Sequence, residues 1–326
     1  MKIAILGAGA WGTAIARLLR ADGHELVLWD HDRANVQLMA QTGRNEKYLP
    51  GVEVGPGLRA VGSPAEAWPG AECVVVAVPS KAFREVTRDL AGFEGVVVSV
   101  TKGIEFATGL TMSGVLRETA PAARIAALSG PTLALEVARG VPTAAVAASD
   151  STDTAELVQK LFHRPAFRIY TGTDTTGVEL GGALKNVIAI AAGLCDGLGY
   201  GDNSKAALVT RGIAEMRRLG VACGARPETF SGLSGLGDLV VTCFSPLSRN
   251  RTLGERLGRG QPLAELLARS VSVAEGCPTA KAAHQLARRR GVSAPIIDEV
   301  YAMLYEAKPL ADAVRDLLAR ESKPED

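Results

Sequence analysis

The first half of the chain alternates short apolar runs with segments of helical periodicity. Several runs are apolar at every position, which is typical of strands that are covered on both faces of a sheet. Alternation of such strands with helices favours a parallel sheet with right-handed crossovers. The predicted strands span 2–6, 25–29, 73–78, 96–100, 124–128, 144–148 and 167–170.

The second half of the chain has a different pattern. After about residue 177 Ala, Leu, Arg and Gly dominate, and the apolar positions recur at helical spacing. The segment DLVVTC (238–243) is compatible with either a strand or a helix. We therefore expect an α/β fold, with a parallel-sheet domain at 1–177 and an all-helical domain at 178–326. The predicted helices span 179–198, 203–222, 262–269, 278–290, 296–306 and 309–319.

Composition and charge exclude several classes of protein. The 326 residues are 47% hydrophobic and carry a net charge of +1, so neither nucleic acid nor an anionic membrane is expected as a partner. The five cysteines are odd in number and scattered, which indicates a reducing, cytoplasmic location without disulfides. No cysteine or histidine spacing predicts a metal site, and no run of about 18 apolar residues predicts a transmembrane helix.

The N-terminal segment KIAILGAGAWGTAIARLL predicts a dinucleotide site. Its basic start and apolar run also resemble a signal peptide, but three regularly spaced glycines and the following helix argue against that. Gly7 permits a tight turn, Gly9 lets a pyrophosphate approach the backbone, and Gly12 lets helix and strand pack closely. The helix N-terminus then faces the phosphates. An acidic residue is expected about 20 positions later, and Asp30 ends the second strand. The pattern is that of a Rossmann-type domain.

The segment VELGGALKNVIAIAAG (178–193) places Lys185 and Asn186 in the middle of an apolar helix. Lysine is rarely buried unless it is paired. Gly181 and Gly182 each weaken a helix by about 1 kcal/mol relative to Ala, so something must approach this face closely. Two interpretations remain open. Lys185 pairs with a carboxylate for structural reasons, or it transfers protons to and from a ligand.

Further polar groups favour the second interpretation. Asp238 follows a Gly-rich turn, and Lys102 follows a strand end, where ligands bind in open α/β sheets. The segment SRNR (248–251) precedes a helix, and its arginines have the planar fork that matches a phosphate. The alternatives are a plain capped helix with solvated arginines and a surface lysine. Together these residues predict a nicotinamide-type site with cations for a small phosphorylated substrate.

At these residues the chain resembles the bacterial NAD(P)-dependent glycerol-3-phosphate dehydrogenases, nearly from end to end. The shared motifs are GAGAWGTAIA, NEKYLP, AVPS, TKGIE, LSGPT, ELGGALKNVIAIAAG, KAALVTRGIAEM, GLSGLGDLVVTC, SRNR and VAEG. The resemblance implies reduction of dihydroxyacetone phosphate to sn-glycerol 3-phosphate for phospholipid synthesis, with NADPH or NADH. It implies that Lys185 accepts the proton in the oxidative direction, with Asp238 beside it.

The resemblance also implies which residues bind each ligand. Ala10 departs from the serine that is frequent in the family, which removes one possible phosphate contact. The implied substrate contacts are Lys102, Gly130, Thr132, Lys185, Asp238, Ser248, Arg249 and Asn250. The implied cofactor contacts, beyond the three glycines, are Ala10, Trp11, His31, Lys102, Ala134, Arg249, Val273 and Glu275.

Two rival functions and the cofactor preference stay open. Another two-domain dehydrogenase of the β-hydroxyacid type would also carry a lysine on this helix, typically with an asparagine four positions later, where this chain has Ala189. A non-enzymatic dinucleotide sensor would not need the lysine. Asp30 favours NAD, whereas Arg33 could pair with the 2′-phosphate of NADP, and His31 matches the adenosine-side contact that the resemblance implies. We therefore expect use of both cofactors, with Asp30 shifting the balance toward NAD. A homodimer is the default oligomer.

Overall fold

The N-terminal half of the computed structural model is built on one sheet. The structure describes residues 1–55, 58–268 and 273–319. The predicted strands are present with ends shifted by at most two residues, and a short strand that was not predicted, β3, is added. The strands are β1 (Lys2–Leu6), β2 (Glu25–Trp29), β3 (Arg59–Val61), β4 (Cys73–Val76), β5 (Val96–Ser99), β6 (Arg124–Ser129), β7 (Thr143–Ala148) and β8 (Phe167–Gly172).

The order of the strands is β3-β2-β1-β4-β5-β6-β7-β8. All neighbouring pairs are parallel except β6 and β7, which pair antiparallel with Leu128 opposite Ala147. The expectation of a wholly parallel sheet is therefore wrong at this pair. The chain reverses there through one short helix over about a dozen residues. The order reverses at β1, and β1 and β4 both end at the same edge, where a crevice for ligands is expected.

Helices cover both faces of the sheet and form the whole second half of the described chain. The ambiguous segment 238–243 is helical, and the last residue of the predicted helix 262–269 lies outside the described residues. The helices are α1 (Ala10–Arg20), α2 (Arg33–Thr42), α3 (Pro64–Ala67), α4 (Phe83–Thr87), α5 (Met112–Thr119), α6 (Ala134–Ala138), α7 (Thr152–Phe162), α8 (Thr175–Gly197), α9 (Asp202–Ala222), α10 (Asp238–Phe244), α11 (Arg249–Gly258), α12 (Leu263–Ala268), α13 (Gly276–Arg290), α14 (Pro295–Tyr305) and α15 (Leu310–Leu318).

Helix α8 is the centre of the helical half. It is buried along nearly its whole length, and its apolar residues form one core with those of α9, α10, α11, α13 and α14. By length and composition α8 could cross a membrane, and 94% of its apolar window is buried inside the protein. The sequence predicted no stretch long and apolar enough to cross a membrane, and α8 is an exception to that prediction. Burial against other helices accounts for the same composition.

Candidate active site

The turn between β1 and α1 has the geometry that a dinucleotide site requires. Gly7 has a φ of +110°, a conformation that side chains disfavour. A Cβ on Gly12 would lie 1.9 Å from the carbonyl oxygen of Gly7, so only glycine lets helix and strand approach this closely. A Cβ on Gly9 would meet no described atom within 4 Å. The N-terminus of α1 has no side-chain cap, so its N–H groups face this open space.

Three of the predicted cofactor contacts, which lie at the starts of two helices, pack side by side. Ala10 and Trp11 begin α1, Ala134 begins α6, and the three pack on one small apolar cluster. The indole nitrogen of Trp11 is buried and has no hydrogen-bond partner among the described residues. An unsatisfied buried donor beside the open turn fits a bound nucleotide. The residues present therefore fit the cofactor that the motif predicts.

The end of β2 differs from the expected arrangement. The carboxylate of Asp30 is 7% exposed and accepts hydrogen bonds from the backbone N–H groups of Ala8 (2.7 Å) and Asp32 (3.0 Å). Its Oδ1 also lies 2.9 Å from Nδ1 of His31. Asp30 thus fastens β2 to the glycine turn rather than projecting freely toward a ribose. His31 and Arg33 are exposed at the start of α2, where the adenosine end of a dinucleotide is expected.

The buried lysine is paired with the predicted aspartate. Nζ of Lys185 lies 2.8 Å from Oδ1 of Asp238 and donates a 2.6 Å hydrogen bond to Oγ1 of Thr242. The side chains of Lys185 and Asp238 are 8% and 1% exposed. The Thr242 hydroxyl in turn donates to the backbone carbonyl of Asp238, one turn earlier on α10. Helix α10 therefore holds the ammonium at two points.

A second lysine completes the cluster. Nζ of Lys102 lies 2.6 Å from Oδ2 of Asp238, so one carboxylate bridges two ammonium groups. Lys102 also donates to the carbonyl of Gly130 (2.8 Å) and to the hydroxyl of Thr132 (3.2 Å). The structure thus brings together the loop after β5, the SGPT loop, α8 and α10. Four sequence motifs that were recognised separately meet at one point.

The electrostatics of the cluster favour proton transfer by Lys185. Burial lowers the pKa of Lys185 from 10.5 to about 8. Asp238 raises that pKa, and the positive charge of Lys102 lowers it. A lysine with a pKa near 8 exchanges its proton readily at physiological pH. The structural ion pair and the proton-transfer role, which the sequence left as alternatives, are both compatible with this geometry.

The glycines beside Lys185 let other parts of the chain, and not only a ligand, pack closely against α8. A Cβ on Gly181 would lie 2.6 Å from the carbonyl oxygen of Ser234, and a Cβ on Gly182 would lie 2.5 Å from Oγ of Ser129. The glycines therefore let the Gly-rich turn and the end of β6 pack directly on α8. The prediction of a close approach is confirmed, and the approaching group is the chain itself.

In the SRNR segment, Ser248 and Asn250 make hydrogen bonds within the protein, whereas Arg249 makes none with the described residues. Ser248 caps α11 by accepting from the backbone N–H of Arg251, as the simpler interpretation predicted. Asn250 donates to Oδ1 of Asn186 (2.9 Å) and accepts from the N–H of Gly276 (2.9 Å), so both ends of its amide are engaged. Arg249 makes no hydrogen bond or close ion pair with any described residue, although the charge of the Glu275 carboxylate acts on it; burial lowers the pKa of Arg249 and Glu275 raises it.

The position of the Arg249 guanidinium indicates what it can bind. It is the first residue of α11, where the positive end of the helix dipole disfavours a cation. No acidic side chain lies in that first turn. A cation held at such a place, with only a longer-range interaction with Glu275 among the described residues, suits an anionic ligand, for which the helix N-terminus adds to the attraction.

The VAEG segment joins the two halves of the molecule. The Glu275 carboxylate accepts from the backbone N–H (3.2 Å) and the hydroxyl (2.7 Å) of Ser80, which follows β4. Burial raises the pKa of Glu275. Val273 is half-buried on the segment that leads into α13. Glu275 therefore lies beside the segment that follows β4.

Sequence reasoning missed three residues of this site. Thr242, Asn186 and Ser80 each hold a predicted site residue by a hydrogen bond. The spacing of Asp238 and Thr242, one helical turn apart, would have indicated Thr242 once 238–243 was assigned as a helix. No group of three or more His, Cys, Asp or Glu side chains suited to a metal ion occurs in the described ranges.

Comparison with known proteins agrees with this geometry. Residues 2–155 match the family model of the NAD-dependent glycerol-3-phosphate dehydrogenase N-terminus, and residues 174–315 match that of its C-terminus. A glycerol-3-phosphate dehydrogenase (NAD(P)+) of Chlorobium limicola is 51% identical, with 100% of this chain and 99% of that protein covered. One of Geobacter sp. is 48% identical over 99% of this chain and 98% of its own length.

A solved structure is similar over the whole chain as well. The crystal structure of glycerol-3-phosphate dehydrogenase from Coxiella burnetii is 37% identical and has a TM-score of 0.94, with 98% of this chain and 99% of that chain covered. Both the sheet and the helical half are therefore shared. The chain belongs to the NAD-dependent glycerol-3-phosphate dehydrogenase family.

Proposed function

We propose that the chain is an NAD(P)-dependent glycerol-3-phosphate dehydrogenase, which reversibly reduces dihydroxyacetone phosphate to sn-glycerol 3-phosphate for glycerophospholipid synthesis. The names of relatives at about half identity over the full length support this activity. One structural observation carries it, namely the buried Lys102–Asp238–Lys185 cluster at the end of the sheet. Neither a structural ion pair nor a nucleotide sensor requires two lysines on one carboxylate.

The β1–α1 turn is suited to hold the dinucleotide. Gly9 leaves room for the pyrophosphate, and the N-terminus of α1 supplies N–H donors. When bound, the nicotinamide nucleotide supplies or accepts the hydride. Trp11 at the start of α1 closes one side of the site with an unsatisfied indole N–H. The cofactor set is completed by Ala134, which packs beside Trp11, and by Lys102, Arg249, Val273 and Glu275.

Lys185 is assigned the proton transfer. In reduction its ammonium donates a proton to the oxygen of the substrate carbonyl, and in oxidation the neutral amine removes the proton of the hydroxyl. A pKa of about 8 makes both forms accessible near neutral pH. Thr242 and Asp238 orient Nζ and stabilise the charged form. The residue thus alternates between two protonation states in one fixed position.

The phosphate of the substrate is assigned to the surrounding cations. Two lysines and one aspartate leave one net positive charge in the cluster, and Arg249 adds another, which the Glu275 carboxylate partly offsets. This balance matches a phosphate monoester, which carries about −1.5 to −2 near pH 7. The remaining substrate contacts are assigned to Gly130 and Thr132, which accept hydrogen bonds from Lys102, and to Ser248 and Asn250 of the SRNR segment.

The test of this function uses the purified chain with dihydroxyacetone phosphate and NADH or NADPH, followed by nicotinamide absorbance. Substrate-dependent oxidation of either nucleotide is expected. Oxidation only with unphosphorylated β-hydroxyacid or β-ketoacid substrates would favour the related dehydrogenase class. Nucleotide binding without any turnover would favour a sensor.

The organisation of the protein follows the same proposal. We place the dinucleotide-binding domain at 1–177 and the helical substrate domain at 178–326, with α8 beginning at the junction. Five cysteines without disulfides suit the cytoplasm. A homodimer is proposed as the oligomeric state, because two-fold dimers are the commonest assemblies.

A further inference from the structure

The peptide groups of the glycine turn are held from two sides. Ala8 donates its N–H to Asp30 at 2.7 Å, and its carbonyl accepts from Nδ2 of Asn45 at 2.6 Å. Asn45 is fully buried and also donates to the hydroxyl of Thr13 on α1. The NEKYLP segment is thus fixed against the turn that is expected to hold the dinucleotide.

A salt bridge closes the ring formed by these contacts. Lys47, two residues after Asn45, reaches Asp32, two residues after Asp30, with Nζ and Oδ2 2.5 Å apart. Asp32 also caps α2 by accepting from the N–H of Asn35. The Lys47 and Asp32 side chains are 44% and 22% exposed, so this pair faces solvent at the adenosine end of the site.

Charge at the end of β2 decides whether a 2′-phosphate is accepted there. Asp30 and Asp32 contribute two negative charges, and Arg33 and Lys47 contribute two positive charges, so these four side chains sum to zero. The Asp30 carboxylate is already satisfied by backbone donors. Asp32 accepts a backbone N–H as well, but it is more exposed than Asp30, and the cation paired with it is Lys47, whereas the side chain beside Asp30 is His31.

We propose that Lys47 is a specificity-determining residue, which permits the use of NADPH by neutralising Asp32. This inference rests on the proposed function only in that the chain binds both nucleotides. Without Lys47 the local charge falls to −1, and the extra phosphate of NADPH meets an uncompensated carboxylate. NADH has a ribose hydroxyl in place of that phosphate, so its binding affinity should fall much less.

The test measures dissociation constants of NADPH and NADH by calorimetry, without substrate, for Lys47→Gln. A unit charge several ångströms from the phosphate in a partly exposed site is expected to change the ratio of the two constants against NADPH by roughly three- to tenfold. Lys160→Gln removes an exposed lysine from α7 and is expected to leave the ratio unchanged.

The double variant Lys47→Gln with Asp32→Asn separates neutralisation from direct contact. Asparagine caps helices as well as aspartate does, so α2 is preserved while the negative charge is removed. Recovery of the wild-type ratio to within about twofold is expected if the carboxylate is the source of the repulsion. Persistent loss of NADPH binding in the double variant would instead mean that Lys47 binds the phosphate itself, which overturns the proposal.

A third variant distinguishes this pair from the buried carboxylate. Asp30→Ala leaves the N–H of Ala8 without a partner and is expected to weaken the binding of both nucleotides, NADPH somewhat less than NADH because a negative charge is removed as well. An unchanged ratio in Lys47→Gln, or a ratio that responds only to Asp30→Ala, contradicts the assignment to Lys47. Because binding is measured without dihydroxyacetone phosphate, these outcomes are independent of whether the reaction in the proposed function is correct.

Discussion

Two lysine–aspartate pairs at opposite ends of the site behave in opposite ways. The Lys185–Asp238 pair is nearly inaccessible, whereas the Lys47–Asp32 pair is partly exposed. Their Nζ–carboxylate distances are similar, at 2.8 Å and 2.5 Å. Yet the pKa of Lys185 is lowered, by burial, and the pKa of Lys47 is raised, by its hydrogen bond with Asp32.

The comparison shows that the surroundings of an ion pair, more than its geometry, decide what it can do. Water supports the charges of the outer pair, so Lys47 stays an ammonium ion and acts as a fixed charge. Desolvation opposes the charge of Lys185, and the second lysine adds repulsion. The inner pair is therefore suited to proton transfer and the outer pair to recognition.

Removal of the inner lysine is expected to have the largest effect. Lys185→Ala should lower turnover by roughly 10²- to 10⁴-fold, the range for a general acid–base group, and should preserve cofactor affinity. Steady-state rates in both directions and calorimetric titration with NADH check the two halves of this prediction.

Lys185→Arg is the matched variant for the charge alone. Arginine keeps the cation but does not release a proton at accessible pH, so turnover should stay low. If the arginine variant is as active as the wild type, a positive charge and not a proton is what the site needs.

The next largest effect is expected at the unpartnered guanidinium. Arg249→Ala should weaken the apparent affinity for dihydroxyacetone phosphate by roughly 10- to 150-fold, because hydrogen bonds to charged groups contribute about 1.5–3 kcal/mol. Arg256→Ala, at an exposed position on the same helix, is the control. Equal Michaelis constants in the two variants would make Arg249 a solvated helix residue.

A smaller effect is expected when Asp238, the carboxylate shared by the two lysines, loses its charge. Asp238→Asn removes the charge that raises the pKa of Lys185 and leaves the two lysines to repel each other. The pH at half-maximal oxidation should fall by about one unit or more, and reduction at neutral pH should slow roughly twofold or more, because a smaller share of Lys185 is then ammonium. An upward shift of this midpoint would show that burial and the second lysine do not determine the pKa of Lys185.

Much of this arrangement could be predicted from the sequence. Strand ends, the glycine turn and the lysine on α8 each follow from local pattern, because periodicity and glycine spacing are properties of a few neighbouring residues. The family resemblance supplied the long-range information that brings Lys102, Lys185 and Asp238 into one site. The hydrogen bonds among them agree with that grouping.

The remaining features depend on the direction of strands and side chains and on contacts between residues far apart in the chain. A local stretch of sequence does not determine them. The antiparallel pairing of β6 and β7 depends on where the chain returns after α6. The orientation of Asp30 could not be predicted, because a shift of one residue along a strand reverses a side chain. The bridge from Lys47 to Asp32 joins residues 15 positions apart through a fold that only the structure shows.

The most direct test of the account is the pH dependence of glycerol 3-phosphate oxidation at saturating substrate and cofactor. The neutral amine of Lys185 is the proton acceptor, and burial lowers its pKa to about 8. We therefore expect kcat for oxidation to rise with pH through a midpoint near 8, and kcat for reduction to fall through the same region. An oxidation rate that is flat from pH 6 to 10 would contradict the claim that this lysine carries the proton, as would a midpoint retained in the residual activity of Lys185→Ala.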